Sequence, residues 1–137
     1  MGERVRDYDD VSAGESGPAI SHTLTRTDLV MYAGASGDFN PMHHDEVAAQ
    51  LAGLPSVFGH GMFTAGLLAT AVTNYVGIGN LKSYRVRFTK QTWPGEVLTT
   101  SVTVREKRAG NEVVLDCSVV NEQGETKIQG EAVAVLS

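Results

Sequence analysis

The sequence predicts an α+β fold in which an antiparallel β-sheet wraps around one long buried helix. The segment 61–76 is almost wholly small or apolar and is long enough to be a helix rather than a strand. We therefore expect that helix to be buried on every side. Beyond it, alternating polar and apolar residues recur in four segments that short turns separate. A helix followed by four strands is typical of a sheet packed on that helix.

The other elements follow from local signals along the chain. Thr25 with Asp28 three residues later resembles a capping box, and Asp45 can cap a second short helix that stops at Gly53. In chain order we predict an irregular polar arm, a short strand, two helices, the long helix and four strands at residues 1–17, 19–24, 26–35, 46–51, 61–76, 81–92, 98–105, 112–120 and 126–136.

Composition bounds the class of protein. A chain of 137 residues with 42% hydrophobic and 20% charged residues predicts one domain, residues 1–137, with an ordinary core. The net charge of −5 argues against a nucleic-acid binder, and no apolar run is long enough to span a membrane. The amino terminus lacks the apolar region of a signal peptide, and Cys117 is the single cysteine. We therefore expect a cytoplasmic protein.

One stretch, residues 36–45, concentrates the candidate chemistry. It contains Gly37, Asp38, Pro41 and His43 within a few positions of one another. Pro41 prevents a continuous helix, so the aspartate and the histidine lie on a stiff loop. Such a pair is suited to moving protons near neutral pH.

This stretch resembles the hydratase signature of MaoC-like dehydratases, a family that includes (R)-specific enoyl-CoA hydratases and β-hydroxyacyl carrier-protein dehydratases. The resemblance is carried by residues 32–43 with Ala49, by the Phe-Gly-His-Gly-Met run at 58–62, and by residues 87–88 and 94–96. These stretches stand in the order of the family, and the resemblance covers nearly the whole chain. It implies the hot-dog fold, whose order of elements agrees with the one predicted above.

The resemblance implies a hydro-lyase that reversibly hydrates trans-2-enoyl thioesters to (R)-3-hydroxyacyl thioesters. Asp38 and His43 would hold one water; we assign His43 mainly to activating it and Asp38 to positioning it and delivering the proton, although the roles could be shared or reversed. The N–H of Gly61 would stabilise the thioester oxyanion at the start of the long helix. The alternative for Gly61 is a tight turn only. A serine that assists some (R)-hydratases is replaced by Ala69 here.

Six further residues are candidates for binding the substrate or shaping its site: Asn40, Phe58, His60, Met62, Arg87 and Lys90. Asn40 is expected to hold the loop in shape through hydrogen bonds to the backbone. His60 is interpreted as a turn or packing residue rather than a third catalyst. Arg85, Arg87 and Lys90 form a basic cluster that would meet the phosphates of coenzyme A or phosphopantetheine, unless it is only a solvated strand face.

No metal or other cofactor is predicted, because adjacent histidines rarely point at one ion. Coenzyme A or phosphopantetheine would enter only as part of the substrate, an acyl-CoA or acyl-carrier-protein thioester. Two alternative functions are a hot-dog acyl thioesterase and a non-catalytic acyl-binding module. A subunit of a heterodimeric dehydratase is also consistent with the sequence. We expect a homodimer, with a heterodimer with another hot-dog subunit as the alternative.

Overall fold

The computed structural model describes residues 6–137 and contains one five-stranded antiparallel sheet with the strand order β1-β3-β4-β5-β2. Its strands are β1 (Ser21–Thr23), β2 (Leu81–Phe88), β3 (Val97–Arg108), β4 (Glu112–Val120) and β5 (Thr126–Val135). Its helices are α1 (Arg26–Ser36), α2 (Glu46–Leu51) and α3 (Gly61–Val76), and single 3-10 turns occur at Tyr8–Asp10 and Pro41–His43.

The core forms where α3 packs on one face of the sheet. In β3 the alternate residues Leu98, Thr100, Val102 and Val104 are buried, as the period-two pattern predicts. They belong to the layer that receives α3, whose Leu68 and other apolar residues lie in the same buried cluster. The predicted α+β arrangement, an antiparallel sheet around a long helix, is confirmed.

Local signals set the helix termini. The Thr25 side chain accepts a hydrogen bond from the N–H of Asp28, and the Asp28 carboxylate accepts one from the N–H of Thr25. The Asp45 carboxylate accepts a hydrogen bond from the N–H of Ala48, which caps α2 as expected. Gly37 ends α1 in the left-handed region with φ of 76°.

The strand boundaries differ from prediction mainly at the edges of the sheet. β1 covers only Ser21–Thr23, and β2 ends at Phe88 rather than Thr92. The N–H groups of Thr89 and Lys90 both point at the carbonyl oxygen of Lys127, so the regular ladder stops there. β3 instead continues to Arg108 through an irregularity in its pairing with β4. Local sequence does not reveal such events, because each depends on the neighbouring strand.

The prediction that α3 is buried on every side is wrong for the single chain. Its residues Met62, Gly66, Thr70 and Asn74 are exposed, and they recur every four residues on one face. The opposite face, which includes Leu68, is buried against the sheet. The exposed face carries the polar side chains of Thr70 and Asn74 beside Met62 and Gly66, and the sheet does not cover it.

The polar arm is not free-standing over the part that the structure describes. The N–H of Gly14 donates to the Val104 carbonyl, and the N–H of Val104 donates to the Glu15 carbonyl, each at 2.8 Å. The N–H of Gly17 then donates to the Val102 carbonyl at 2.9 Å. The arm therefore continues the sheet alongside β3 without forming a regular strand. Residues 1–5 of the predicted arm lie outside the described residues.

Among residues 6–137, none of the helices combines the length and the apolar character that crossing a bilayer requires.

Candidate active site

Short-range hydrogen bonds hold the loop after α1 in one shape. The Ser36 hydroxyl accepts a hydrogen bond from the N–H of Asp38 at 3.1 Å. The Asn40 side-chain oxygen accepts one from the N–H of Met42 at 3.1 Å and so begins the Pro41–His43 turn. The role expected of Asn40 as a residue that shapes the loop is confirmed.

His43 is the buried member of the expected proton-transfer pair. Its Nδ1 lies 2.6 Å from the carbonyl oxygen of Phe58. Because a carbonyl only accepts, Nδ1 carries the hydrogen in the neutral ring and Nε2 keeps a free lone pair. That Nε2 lies 3.9 Å from Oδ2 of Asp38. The separation is too long for a direct hydrogen bond and leaves both atoms able to bind one small polar molecule.

Asp38 is the exposed member of the pair, with its side chain about half accessible at 51%. Its Oδ1 accepts a hydrogen bond from the N–H of Asn40 at 3.2 Å, which orients the carboxylate. Its Oδ2 faces His43 and is the free oxygen. The loop therefore presents one carboxylate oxygen and one imidazole nitrogen to the same point, with solvent access on the carboxylate side.

Gly61 is the first residue of α3, and its N–H has no partner among the hydrogen bonds of the described residues. The first N–H groups of a helix have no intrahelical acceptor, and the helix dipole makes them good donors to negative charge. Its φ is not in the left-handed region, so backbone strain does not require glycine here. A Cβ at Gly61 would instead lie 2.9 Å from the ring of Phe88.

Gly59 likewise has no left-handed φ, but its surroundings leave less room for a side chain than those of Gly61. A Cβ at Gly59 would collide with the Thr92 hydroxyl and lie 3.0 Å from Leu24. The N–H of Gly59 also donates to the carbonyl of Thr92 at 2.8 Å. Gly59 is therefore required by close packing of the chain.

His60 joins the two halves of the site. Its Nε2 lies 3.1 Å from the main-chain oxygen of Asp38, and its ring stacks on that of His43 with centroids 3.9 Å apart. Burial lowers the pKa of His60 below its ordinary value, because the charged ring would lose its hydration. The interpretation of His60 as a packing residue was incomplete, since this contact pattern depends on tertiary structure.

A cavity of about 270 Å³ lies beside the site, lined by Phe58, Gly59 and residues 88–92. The ring of Phe58 also packs edge-on against His43, with centroids 4.8 Å apart. The cavity wall therefore reaches the buried side of the Asp38–His43 pair. Among the six candidate binding residues, Phe58 and Lys90 line this cavity. Met62 lies on the exposed face of α3, next to Gly61.

The expectation of one basic cluster is wrong. Arg85 and Arg87 line a different depression of about 540 Å³, together with Arg105, Asp116 and Glu131. Arg85 also pairs with Glu131 at 3.4 Å, whereas Lys90 pairs with Glu125 at 3.0 Å. The strand alternates its faces and then ends at Phe88, so the chain turns before it reaches Lys90. Arg87 and Lys90 do not share a pocket.

The family profile described as "MaoC like domain" matches residues 12–125 of this chain. The chain belongs to the MaoC-like domain family. The resemblance inferred from residues 32–43 is thus confirmed.

Individual relatives of this MaoC-like chain agree with the family assignment. An (R)-specific enoyl-CoA hydratase of Rhodospirillum rubrum is 27% identical over 131 residues, covering 94% of this chain and 90% of that protein. The 3-hydroxyacyl-thioester dehydratase Y of Mycobacterium tuberculosis is 42% identical over 82 residues, 57% of this chain. That match spans only 28% of the dehydratase, which is a longer protein.

Solved structures show the same fold. The unliganded R-hydratase PhaJ1 from Pseudomonas aeruginosa superposes with a TM-score of 0.87 at 27% identity, covering 96% of this chain and 86% of that chain. The named relatives are thus hydratases and dehydratases, which are hydro-lyases.

The MaoC-like site also contains a set of possible metal donors. Asp38, His43 and His60 each offer one ligand atom, and these atoms lie within 4.8 Å of one another. The imidazole rings of His43 and His60 are stacked at an interplanar angle of 27°. The three donor atoms therefore lie close enough together to be tested as ligands of one ion.

Sequence reasoning missed a buried polar cluster that supports the cavity, which we call the loop anchor: Glu96, Asn121 and Lys127. The Lys127 ammonium is 2% exposed and donates to the Gln91 carbonyl at 2.9 Å, and it lies 2.9 Å from the Glu96 carboxylate. Glu96 also accepts from the Asn121 amide at 2.7 Å. The loop anchor holds the cavity-lining segment 88–92 against the β4–β5 turn. The family stretch at 94–96 was the available signal for Glu96, whereas a lysine at a strand start ordinarily faces water.

Proposed function

We propose that this chain is a hydro-lyase that reversibly adds water to trans-2-enoyl thioesters and forms (R)-3-hydroxyacyl thioesters. The proposal rests on one observation: His43 Nε2 and Asp38 Oδ2 lie 3.9 Å apart, close to each other but not hydrogen-bonded. The two atoms are suited to bind one water molecule. Gly61 follows His60, whose ring stacks on His43, and its helix N–H has no partner among the described residues. The hydratase and dehydratase names of the relatives support the same reaction.

The chemistry assigns each group a step. His43 Nε2 takes a proton from the water as its oxygen bonds to C3, and Asp38 orients that water. The electron pair of the C2=C3 bond moves towards the thioester, and the N–H of Gly61 stabilises the resulting oxyanion. The proton held by the Asp38–His43 pair then passes to C2. This returns both side chains to their starting states, and the net change is addition of one water.

The substrate handle is the thioester-linked pantetheine of coenzyme A or of a carrier protein. Lys90 lines the cavity beside Phe58, and its ammonium can exchange the partly exposed Glu125 carboxylate for a phosphate group. We expect Lys90→Ala to raise the KM for acyl-CoA by about three- to tenfold, as loss of one exposed charge contact does. Arg87→Ala is the comparison variant, and its KM should stay closer to that of the wild type.

The direct test is hydration of crotonyl-CoA by the purified protein, followed by the loss of enoyl absorbance, with chiral analysis of the product. A longer enoyl chain is assayed in parallel. Free thiol release measured in the same mixture separates a hydratase from a thioesterase. Binding of acyl-CoA without any turnover would support the acyl-binding alternative and contradict the proposal.

The reaction is proposed to need no metal or other cofactor. Asp38 and His43 supply the proton transfer, and Gly61 supplies the oxyanion contact. Hydration should therefore survive prolonged dialysis against a chelator. Loss of activity that added zinc restores would assign a metal to the Asp38, His43 and His60 donors instead.

We propose that the chain assembles as a homodimer through the edge of the sheet. Within the described part of the chain, β2 is an edge strand that pairs with β5 alone, so its outer backbone groups are available to a second strand. Apolar groups near this edge are exposed, with Met62 at 62% and Phe88 at 52%. Light scattering at micromolar concentration should give twice the chain mass. A monomer that gains activity with another hot-dog subunit would support the heterodimer instead.

A further inference from the structure

His60 occupies a position between the two halves of the site. It is the residue before α3, so it directly precedes the oxyanion candidate Gly61. Its side chain makes no capping hydrogen bond to the helix, and its ring is 2% exposed. The ring instead turns towards the loop that carries Asp38 and His43.

The hydrogen bonding of His60 assigns its tautomer. Nε2 lies 3.1 Å from the main-chain oxygen of Asp38, so Nε2 carries the hydrogen. Nδ1 is then a bare acceptor, and it has no hydrogen-bond partner among the described residues although it is buried. A buried acceptor without a partner costs free energy that a phenylalanine at this position would avoid. Packing alone does not account for a histidine here.

The stacking partner of His60 is the ring that takes up the proton. The His60 and His43 centroids are 3.9 Å apart, and Tyr32 packs edge-on against His60 at 4.9 Å. The charged or titratable groups that act on His60 are Asp38, His43 and His44. A neutral ring stacked on His43 tolerates an imidazolium there, because the aromatic face attracts a cation.

We propose that His60 is a positioning residue that holds the Asp38–His43 pair in register with the N–H of Gly61. Its Nε2–H fixes the main chain of Asp38, its ring face fixes the plane of His43, and its own backbone leads into Gly61. The inference rests on the proposed hydration, in which the water and the oxyanion donor must meet opposite ends of one enoyl thioester. A displacement of about 1 Å in such an arrangement costs roughly 10²-fold in rate.

Three substitutions separate these contacts. His60→Gln places an amide N–H near the position of Nε2, so it keeps the bond to the Asp38 carbonyl. His60→Asn has the same chemistry but a shorter reach, so it loses that bond. His60→Phe keeps the stacked ring, loses the donor and removes the unpartnered Nδ1. Asn and Gln are therefore a matched pair that differs in reach.

We expect His60→Asn and His60→Phe to lower kcat by about 10- to 100-fold with KM changed by less than about threefold. His60→Gln should recover most of the loss and stay within about fivefold of the wild type. A merely structural role predicts that kcat follows the melting temperature in all three variants. Equal kcat in the Gln and Asn variants, or wild-type kcat in the Phe variant, would overturn the proposal.

A second readout does not depend on turnover. Long-range ¹H–¹⁵N NMR of the imidazoles should show His60 protonated on Nε2 and His43 protonated on Nδ1 in the resting protein. His60→Phe and His60→Asn should speed the exchange of the His43 Nδ1 proton with solvent, because the ring is held less firmly against the Phe58 carbonyl, whereas His60→Gln should change that exchange less. If the wild type hydrates no enoyl thioester, the proposed function fails on its own, and the NMR result still decides whether His60 positions the pair. Unchanged exchange of the His43 Nδ1 proton in all three variants would refute it.

Discussion

Two polar clusters of this protein are built in opposite ways. In the loop anchor the charged and amide groups all have partners: the Lys127 ammonium and the Asn121 amide both meet the Glu96 carboxylate. In the site, Nε2 of His43 and Oδ2 of Asp38 lie 3.9 Å apart without a hydrogen bond between them. Nδ1 of His60 and the N–H of Gly61 have no partner among the described residues. The fully paired loop anchor is suited to holding the fold, whereas the site keeps polar atoms open to a substrate.

The difference predicts how the clusters respond to mutation. Removing a group from the site breaks few contacts within the protein. Turnover should therefore fall while the free energy of unfolding changes little. Removing a group from the loop anchor leaves a buried charge unpaired, so stability should fall first.

The largest effect is expected for the proton-transfer pair. His43→Ala and Asp38→Asn should each lower the hydration rate by about 10²–10⁴-fold, the usual contribution of a general acid–base group. The double variant should lose much less than the product of the two, because both side chains act on one water. Steady-state rates, measured on protein whose folding is checked by circular dichroism, decide this.

The control for that pair is His44. Its Nε2 lies 3.1 Å from the Phe39 carbonyl, and the residue is exposed. His44→Ala should therefore be mild in both rate and stability. If His43→Ala kept near-full activity in a folded protein, the assignment of His43 would be abandoned.

The next effect concerns the oxyanion donor. Gly61→Pro deletes the N–H at the first position of a helix, where proline is tolerated. His60 has a ψ of 132°, which is the conformation preferred before proline. The variant should fold, bind acyl thioester and lose about 10²–10³-fold in kcat.

Gly61→Ala is the matched variant because it keeps the donor. Its added methyl group meets the ring of Phe88, which is half exposed and can move. We expect a smaller loss of rate than for proline, recovered in part by Phe88→Ala in the same chain. A stable Gly61→Pro protein with nearly normal turnover would remove Gly61 from the mechanism.

The loop anchor should show the opposite behaviour. Lys127→Met leaves the Glu96 carboxylate without its buried cation, and breaking such a pair costs about 3–5 kcal/mol of unfolding free energy. The double variant Lys127→Met with Glu96→Gln removes both charges and should recover part of that loss. Denaturant unfolding measures the change. A Lys127→Met protein of wild-type stability would contradict the contrast between the clusters.

The smallest effect is a pH dependence of stability. The pKa of His60 is lowered in the folded protein, because burial disfavours the charged ring. The unfolded chain therefore binds a proton more readily than the folded chain below the ordinary value of 6.5. Stability should be highest above this value and fall as the pH drops through the window beneath it. In His60→Phe this part of the dependence of unfolding free energy on pH should vanish. The same dependence in the variant and the wild type, measured by denaturant unfolding at several pH values, would exclude His60 as its source.

Short-range sequence patterns predicted much of the fold. The capping box of Thr25 and Asp28 and the cap at Asp45 each involve residues within one helical turn of each other. Both can therefore be predicted from the sequence. The same holds for the loop at 36–45, where Pro41 and the Asn40 side chain set the conformation. The pairing of Asp38 with His43 follows from that short segment.

Contacts between distant segments could not be predicted in this way. His60 reaches the Asp38 carbonyl across 22 residues, and Lys127 reaches Gln91 across 36. The alternation of a strand tells which residues share a face, but not which strand lies beside it or where the ladder stops. This is why Arg87 and Lys90, three residues apart, were expected together and line different depressions.

The sequence by itself determined the order of the elements, the helix caps and the stiff loop that presents Asp38 and His43. These depend on short-range sterics and hydrogen bonds, which a few neighbouring residues settle. Only the tertiary structure decided that one face of α3 stays uncovered, that Phe88 lies over Gly61, and that His60 joins the two halves of the site. Those features arise from how the sheet and helix pack, and packing is set by the whole chain at once.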